Sequence, residues 1–206
     1  MRHQFRPRRY SNPELVGENV ARALRSGFRR LKLDEIDVAC ARTARETAGA
    51  DTEIMLDVNC PSSVREALNV TRQLRPFNLK WLEELVWPPE TYSGLARIKQ
   101  NGGIPIAAGE NASTLMDFQH LLETEAVDFI QPSPAKMGGL TELSGVFALA
   151  NARPGPARGR ACERGSGRTR GPGGMAIFRS RGAALRRRHH PEEWRNRCSS
   201  ERGARS

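Results

Sequence analysis

The sequence is 206 residues long, enough for one domain with a substantial core, or one and a fraction. Its 33 Lys+Arg and 23 Asp+Glu give a formal net charge of +10, but residues 1–150 hold 18 basic and 19 acidic side chains while residues 151–206 hold 15 Arg, no Lys and 4 Glu. The basicity belongs to the last quarter and excludes charge as an argument that the body binds nucleic acid. No apolar run approaches the ~18–20 residues of a membrane helix. No apolar stretch follows the basic segment 1–11 as a secretory signal requires. Cys40, Cys60, Cys162 and Cys198 lack CxxC spacing and a nearby His pair, so neither zinc nor a disulfide frame is indicated. A cytoplasmic location is the expectation.

Asn12–Gly27 reads as a helix, with Pro13 suited to its first turn and Gly27 as its stop. Arg30–Leu33 reads as a strand and Val38–Thr47 as a helix; Glu53–Asn59 and Ser62–Leu74 repeat the pair. Leu79–Leu85 and Pro89–Gln100, then Ile104–Glu110 and Thr114–Thr124, then Val127–Gln131 and Thr141–Asn151, continue it. Five strand–helix units at a period of about 25 residues predict an α/β fold with a parallel sheet. Without a nucleotide-type glycine fingerprint, such a run fits a partial (β/α) TIM-type barrel better than a doubly wound sheet. Eight strands in ~250 residues is the usual complement, so the barrel is incomplete as written.

From Arg153 the composition turns to Arg, Gly, Pro and Ala, with neither helix nor strand period, and disorder is expected of residues 153–206. Arg without Lys in that company is what GC-rich coding DNA yields out of frame, so a frameshift near residues 151–153 is the expectation. The rival is an Arg-rich nucleic-acid-binding tail. The organisation is therefore a basic segment 1–11, a partial barrel domain 12–152 and a low-complexity tail 153–206.

Asp57, the Glu83/Glu84 pair and Glu110 stand at or near the C-terminal ends of successive predicted strands, 26 or 27 residues apart. In a parallel barrel those ends converge on the face where active sites are built. Converging carboxylates repel one another unless a cation lies between them, and an all-oxygen set suits Mg²⁺. Strand-end acids taken singly are more often helix caps or solvated loop residues. Lys32 and Asp34 share a face of the first strand, and a lysine inside the barrel near a cation is poised for proton transfer. Asp57 and Asn59 share a face too, so Asn59 can orient a ligand or a carboxylate. Lys136, before Gly138 and Gly139, brings a second positive charge to the rim.

Lys32-Leu-Asp34, Met55-Leu-Asp-Val-Asn59, Trp81-Leu-Glu-Glu84 with Trp87-Pro-Pro-Glu90, Ile104-Pro-Ile-Ala-Ala-Gly-Glu-Asn111 and Gln131-Pro-Ser-Pro-Ala-Lys-Met-Gly-Gly139 occur in that order. From about residue 10 to 152 the chain resembles the C-terminal barrel domain of the enolase superfamily, in its mandelate racemase/muconate lactonizing enzyme branch. The resemblance implies that Asp57, Glu83 and Glu110 bind Mg²⁺, with Glu84 behind them because adjacent strand residues point oppositely. Lys32 matches the first lysine of a Lys-x-Lys motif, and Lys136 a lysine near the substrate carboxylate. The implied chemistry is removal of the proton α to a carboxylate, giving an enediolate stabilised by the metal.

The second lysine of that motif is Asp34 here, and the aspartate usual after Gln-Pro is Ser133. The strand that carries the family's catalytic histidine, the last strands and the capping domain have no counterpart, and His189 and His190 lie in the Arg-rich tail. The leading reading is an incomplete copy of an acid-sugar (hydroxy-carboxylate) dehydratase or cycloisomerase, which needs one base and one acid. A racemase of the mandelate racemase type, a non-catalytic truncated product and an Arg-rich nucleic-acid-binding protein are the alternatives. Implied partners are a small carboxylate substrate and a second copy of the chain, with no membrane and no nucleic acid.

Overall fold

The structure, a computed structural model, describes residues 12–152 and 175–178. Helix α1 (Pro13–Arg25) starts where Asn12 accepts a hydrogen bond from the Leu15 N–H at 3.1 Å, with Pro13 in the first turn. Then follow β1 (Arg30–Leu33), α2 (Val38–Ala48), β2 (Glu53–Asp57), α3 (Val64–Leu74) and β3 (Trp81–Glu83). After them come α4 (Tyr92–Gly102), β4 (Ile106–Ala108), α5 (Leu115–Glu123), β5 (Phe129–Ile130), α6 (Leu140–Ala152) and β6 (Met175–Phe178). Reciprocal caps set two helix starts, Ser63 with Glu66 for α3 and Thr114 with Asp117 for α5.

All pairings are parallel, in the order β5-β4-β3-β2-β1-β6. From β1 to β5 each strand is laid beside its predecessor with no reversal, as in a barrel and unlike a doubly wound sheet. The five expected strand–helix units are present. The later strands are shorter than their apolar runs, for local reasons. Glu84 has φ +53° and ends β3; Pro105 has no N–H to donate just before β4, and Gly109 at φ +127° ends it. Strand β6 lies in the stretch read from composition as lacking strand period. Met-Ala-Ile-Phe is four apolar residues, too short to register in an Arg/Gly-rich window. The expectation of disorder otherwise falls outside the described residues.

The two faces of the sheet differ. Leu31, Leu33, Ile54, Leu56, Leu82, Ile106 and Ile130 pack against the helices in the main core. The alternate residues Met55, Trp81 and Ala107, with Phe129 against them, form a second small cluster on the opposite, inner face. Trp81 and Phe129 rings lie 5.0 Å apart, tilted by 42°. At the N-terminal end of the sheet the half-buried Arg45 guanidinium donates to the carbonyls of Gly49 (2.7 Å), Thr52 (2.8 Å), Phe77 (2.8 Å) and Asn78 (2.9 Å). It ties together the two loops that lead into β2 and β3. No helix among the described residues is long and apolar enough to cross a membrane.

Candidate active site

Strand register builds the site. Lys32 pairs with Met55, Met55 with Trp81, and Asp57 with Glu83, so two inner-face layers are stacked along the strands. Lys32, only 5 % exposed, reaches from the first layer to the second. Its Nζ lies 2.9 Å from Asp57 Oδ2 and hydrogen-bonds Glu83 Oε1. The other Glu83 oxygen, Oε2, accepts from Gln131 Nε2 at 2.9 Å and from Trp81 Nε1 at 3.2 Å. Burial pushes the Glu83 carboxyl above the usual carboxylate range, and the Asp57 charge adds to the push against the opposing Lys32 ammonium and Gln131 amide.

Asp34 and Asn59 lie beyond their strands rather than on them. Strand β2 stops at Asp57, and Asn59 sits in the left-handed region at φ 52°, a conformation that Asn tolerates better than most residues. The face that Asp57 and Asn59 were expected to share therefore does not continue. Instead the Asn59 N–H donates to Asp57 Oδ1 at 3.3 Å, and its amide nitrogen donates to Asp34 Oδ1 at 2.9 Å. Asn59 thus orients two carboxylates, by turning back on them.

Glu84 departs from strand alternation for the same kind of reason. At φ +53° it leaves the pleat, and its buried carboxylate serves the next loop. Oε1 accepts the backbone N–H of Gly109 (3.0 Å) and of Glu110 (3.1 Å). Oε2 accepts from Asn111 Nδ2 (3.2 Å) and from the Cys60 thiol (3.2 Å). Burial, with the Glu84 charge beside it, pushes that thiol up, so Cys60 stays protonated as a donor. Glu110 is half-buried in the loop after β4 that Glu84 holds. Lys136, exposed, donates from Nζ to Asn111 Oδ1 at 2.8 Å. The Ser133 carbonyl accepts the N–H of Lys136 (2.9 Å) and of Met137 (3.2 Å), making the turn that carries Lys136.

The structure therefore brings Lys32, Asp57 and Glu83 together and places Asp34, Glu84, Glu110 and Lys136 on the loops that follow β1, β3, β4 and β5. Among the described residues no group of three His, Cys, Asp or Glu side chains is disposed to hold a metal ion. The donor chemistry of two of them does suit one. Asp57 and Glu83 present hard oxygens converging on a single positive charge, the Lys32 ammonium. Trp81, Gln131 and Asn111 belong to the site without having been named for it. Period-two counting back from Glu83 reaches Trp81, and counting on from Phe129 reaches Gln131, so a signal existed for both.

The sequence profile of the family described as enolase C-terminal domain-like matches residues 15–197, past residue 152 where the resemblance carried by the motifs stops. A racemase from Streptomyces coelicolor A3(2), solved with bound magnesium, is 33% identical with a TM-score of 0.63, over 68% of this chain and 44% of that one. The 3,6-anhydro-D-galactonate cycloisomerase from Zobellia galactanivorans is 29% identical with a TM-score of 0.68, over 73% and 43%. An L-talarate/galactarate dehydratase variant, solved with Mg and L-glucarate, is 26% identical with a TM-score of 0.63, over 68% and 36%. The chain thus spans less than half the length of each of these proteins.

Proposed function

We propose, since the chain belongs to the enolase C-terminal domain-like family, that its site serves removal of the proton α to a carboxylate. The substrate is a small hydroxy-carboxylate or sugar acid, and the outcome is dehydration or cycloisomerisation. One observation carries the reading: Asp57 and Glu83 converge on one cationic point, the buried Lys32 ammonium, at the C-terminal ends of parallel strands. Asp57 and Glu83, with Glu110 brought in from the loop after β4 as a third ligand, would hold Mg²⁺, which when bound supplies Lewis-acid stabilisation of charge developing on the substrate carboxylate.

The chain's own residues divide the remaining work. Lys32 Nζ is placed to take and return a proton on the inner face, where water is excluded by Met55, Trp81 and Phe129. Asp34, held by Asn59, is the second candidate proton carrier. Lys136, on its Ser133 turn and steered by Asn111, meets the substrate carboxylate at the rim. A racemase needs a base on each face of the carbanion, and with Asp34 in place of a second lysine a one-base, one-acid reaction fits better. The similar structures include a dehydratase, a cycloisomerase and a racemase, so the choice among these outcomes rests on Asp34.

Thermal melts in increasing MgCl₂ test the site. Ligation by the native state alone raises stability by RT ln(1 + [L]/Kd), about 2.7 kcal/mol at a hundredfold excess over Kd. The melting temperature is expected to climb with ln[Mg²⁺], and Glu110→Gln to remove most of the climb. A melting temperature indifferent to Mg²⁺ through the millimolar range refutes the metal site.

A further inference from the structure

We propose that Trp81 and Gln131 are positioning residues that fix the metal-facing oxygen of Glu83; the inference rests on the reading of that carboxylate as a cation ligand. Glu83 is fully buried, and its two oxygens have different neighbours. Oε1 faces the Lys32 ammonium, on which Asp57 also converges. Oε2 is occupied by two N–H donors from different strands, the Trp81 indole at 3.2 Å and the Gln131 amide at 2.9 Å. A carboxylate that accepts two such donors on one oxygen cannot rotate without breaking both, so Oε1 alone is left for a cation.

The Gln131 amide shows that this bond is favoured at a cost. Its Oε1 is buried and has no hydrogen-bond partner among the described residues. An orphaned buried acceptor is destabilising, and one that persists needs a reason. Turning the amide over would bring its oxygen against the Glu83 carboxylate, two acceptors face to face. The charge-assisted bond to Glu83 therefore sets the orientation and leaves Oε1 stranded. Trp81 is held in turn by its ring contact with Phe129, 5.0 Å between centroids, and it precedes Glu83 by the two-residue period of the inner face. The indole N–H thus approaches from a ring that packing has already locked.

Mn²⁺ binding followed by the loss of the free-ion electron paramagnetic resonance signal tests the assignment. Measurements are made on the full chain at a temperature where each variant keeps the parent's near-ultraviolet circular dichroism. Trp81→Phe deletes the N–H and keeps a ring for Phe129; Gln131→Met deletes the amide at similar length. Each is expected to weaken Mn²⁺ binding about 10- to 100-fold. Ile106→Val thins the helix-facing core on the opposite side of the sheet, away from the layer that holds Trp81, and is expected to leave the dissociation constant within about twofold, which a merely structural role would not allow. The positioning role is overturned if both donor variants bind like the parent, or if Ile106→Val weakens binding as much as they do. A parent chain with no saturable Mn²⁺ binding refutes the metal site itself, and the positioning role falls with it.

Discussion

Replacing Lys32 by Met removes the one ammonium on which Asp57 and Glu83 converge. The three side chains are nearly sealed from water, Lys32 at 6%, Asp57 at 11% and Glu83 at 0% exposure. Surface screening therefore does little to soften the loss. Breaking a buried pair by removing one partner costs about 3–5 kcal/mol, because the charge left behind is neither hydrated nor paired. Here two carboxylates in register on adjacent strands are left facing each other. For a domain of this size that is a fall in Tm of about 6–20 °C. The pH dependence gives a second check. Burial, then the Asp57 charge, holds the Glu83 carboxyl above its ordinary value of 4.5. A group raised on folding contributes stability below its unfolded pKa and loses it as pH rises through its folded pKa. Lys32 opposes that loss, so the deficit of Lys32→Met is expected to be smallest below about pH 4.5 and to grow toward neutrality. Urea denaturation of parent and variant between pH 4 and 8, with and without MgCl₂, reads all of this. Added Mg²⁺ is expected to recover more stability in the variant than in the parent, since it no longer competes with the ammonium. A deficit below about 1 kcal/mol at neutral pH, typical of an exposed pair, refutes the reasoning.

Arg45→Met is expected to cost about 2–4 kcal/mol in urea denaturation, since the guanidinium's hydrogen bonds to four loop carbonyls are lost together; a midpoint unchanged from the parent refutes the clamp. Gly109→Ala places a Cβ 2.8 Å from Phe118 Cε1 and 3.2 Å from the Gln131 nitrogen, at φ +127°, and is expected to cost about 1–3 kcal/mol and to weaken Mg²⁺-dependent stabilisation by displacing Glu110. Thermal melts with and without Mg²⁺ check both effects. The hydrogen bond from Lys80, outweighing burial and joined by the Lys80 and Arg30 charges, holds the Glu53 carboxyl below its ordinary 4.5. A depressed group contributes stability above its unfolded pKa and loses it as pH falls through the folded pKa. Parent and Glu53→Gln are therefore expected to differ by a constant urea midpoint above about pH 5.5 and to converge in acid, with a smaller difference in high salt; a difference that persists below the folded pKa contradicts the pairing.

Much of this protein could be read along the chain. The alternation of short apolar runs with amphipathic stretches is a consequence of a parallel sheet sealed by helices, and it located all five strand–helix units. Helix starts at Asn12, Ser63 and Thr114 were within a residue or two, because a cap is chemistry between neighbours. The step of one βα unit from Asp57 to Glu83 to Glu110 placed three acids at one end of the sheet. Strand ends were less legible. Whether β3 stops at Glu83 or runs to Leu85 depends on a left-handed turn at Glu84, which pays off only through the loop N–H groups of Gly109 and Glu110 that its carboxylate then accepts.

Local pattern along the chain was enough for the periodic fold, its polarity and the set of acids and lysines at or near the ends of its strands. Tertiary structure alone decided their division of labour. Asp57 and Glu83 share Lys32, while Glu84 and Asn111 hold the loop carrying Glu110. Gln131 and Trp81 reach Glu83 from separate positions, Gln131 being 48 residues away in the chain. The physical reason is range. Period and capping act within a few residues, whereas a buried carboxylate is satisfied by whichever donors the sheet register carries to it, and register is a property of strands paired across the whole fold.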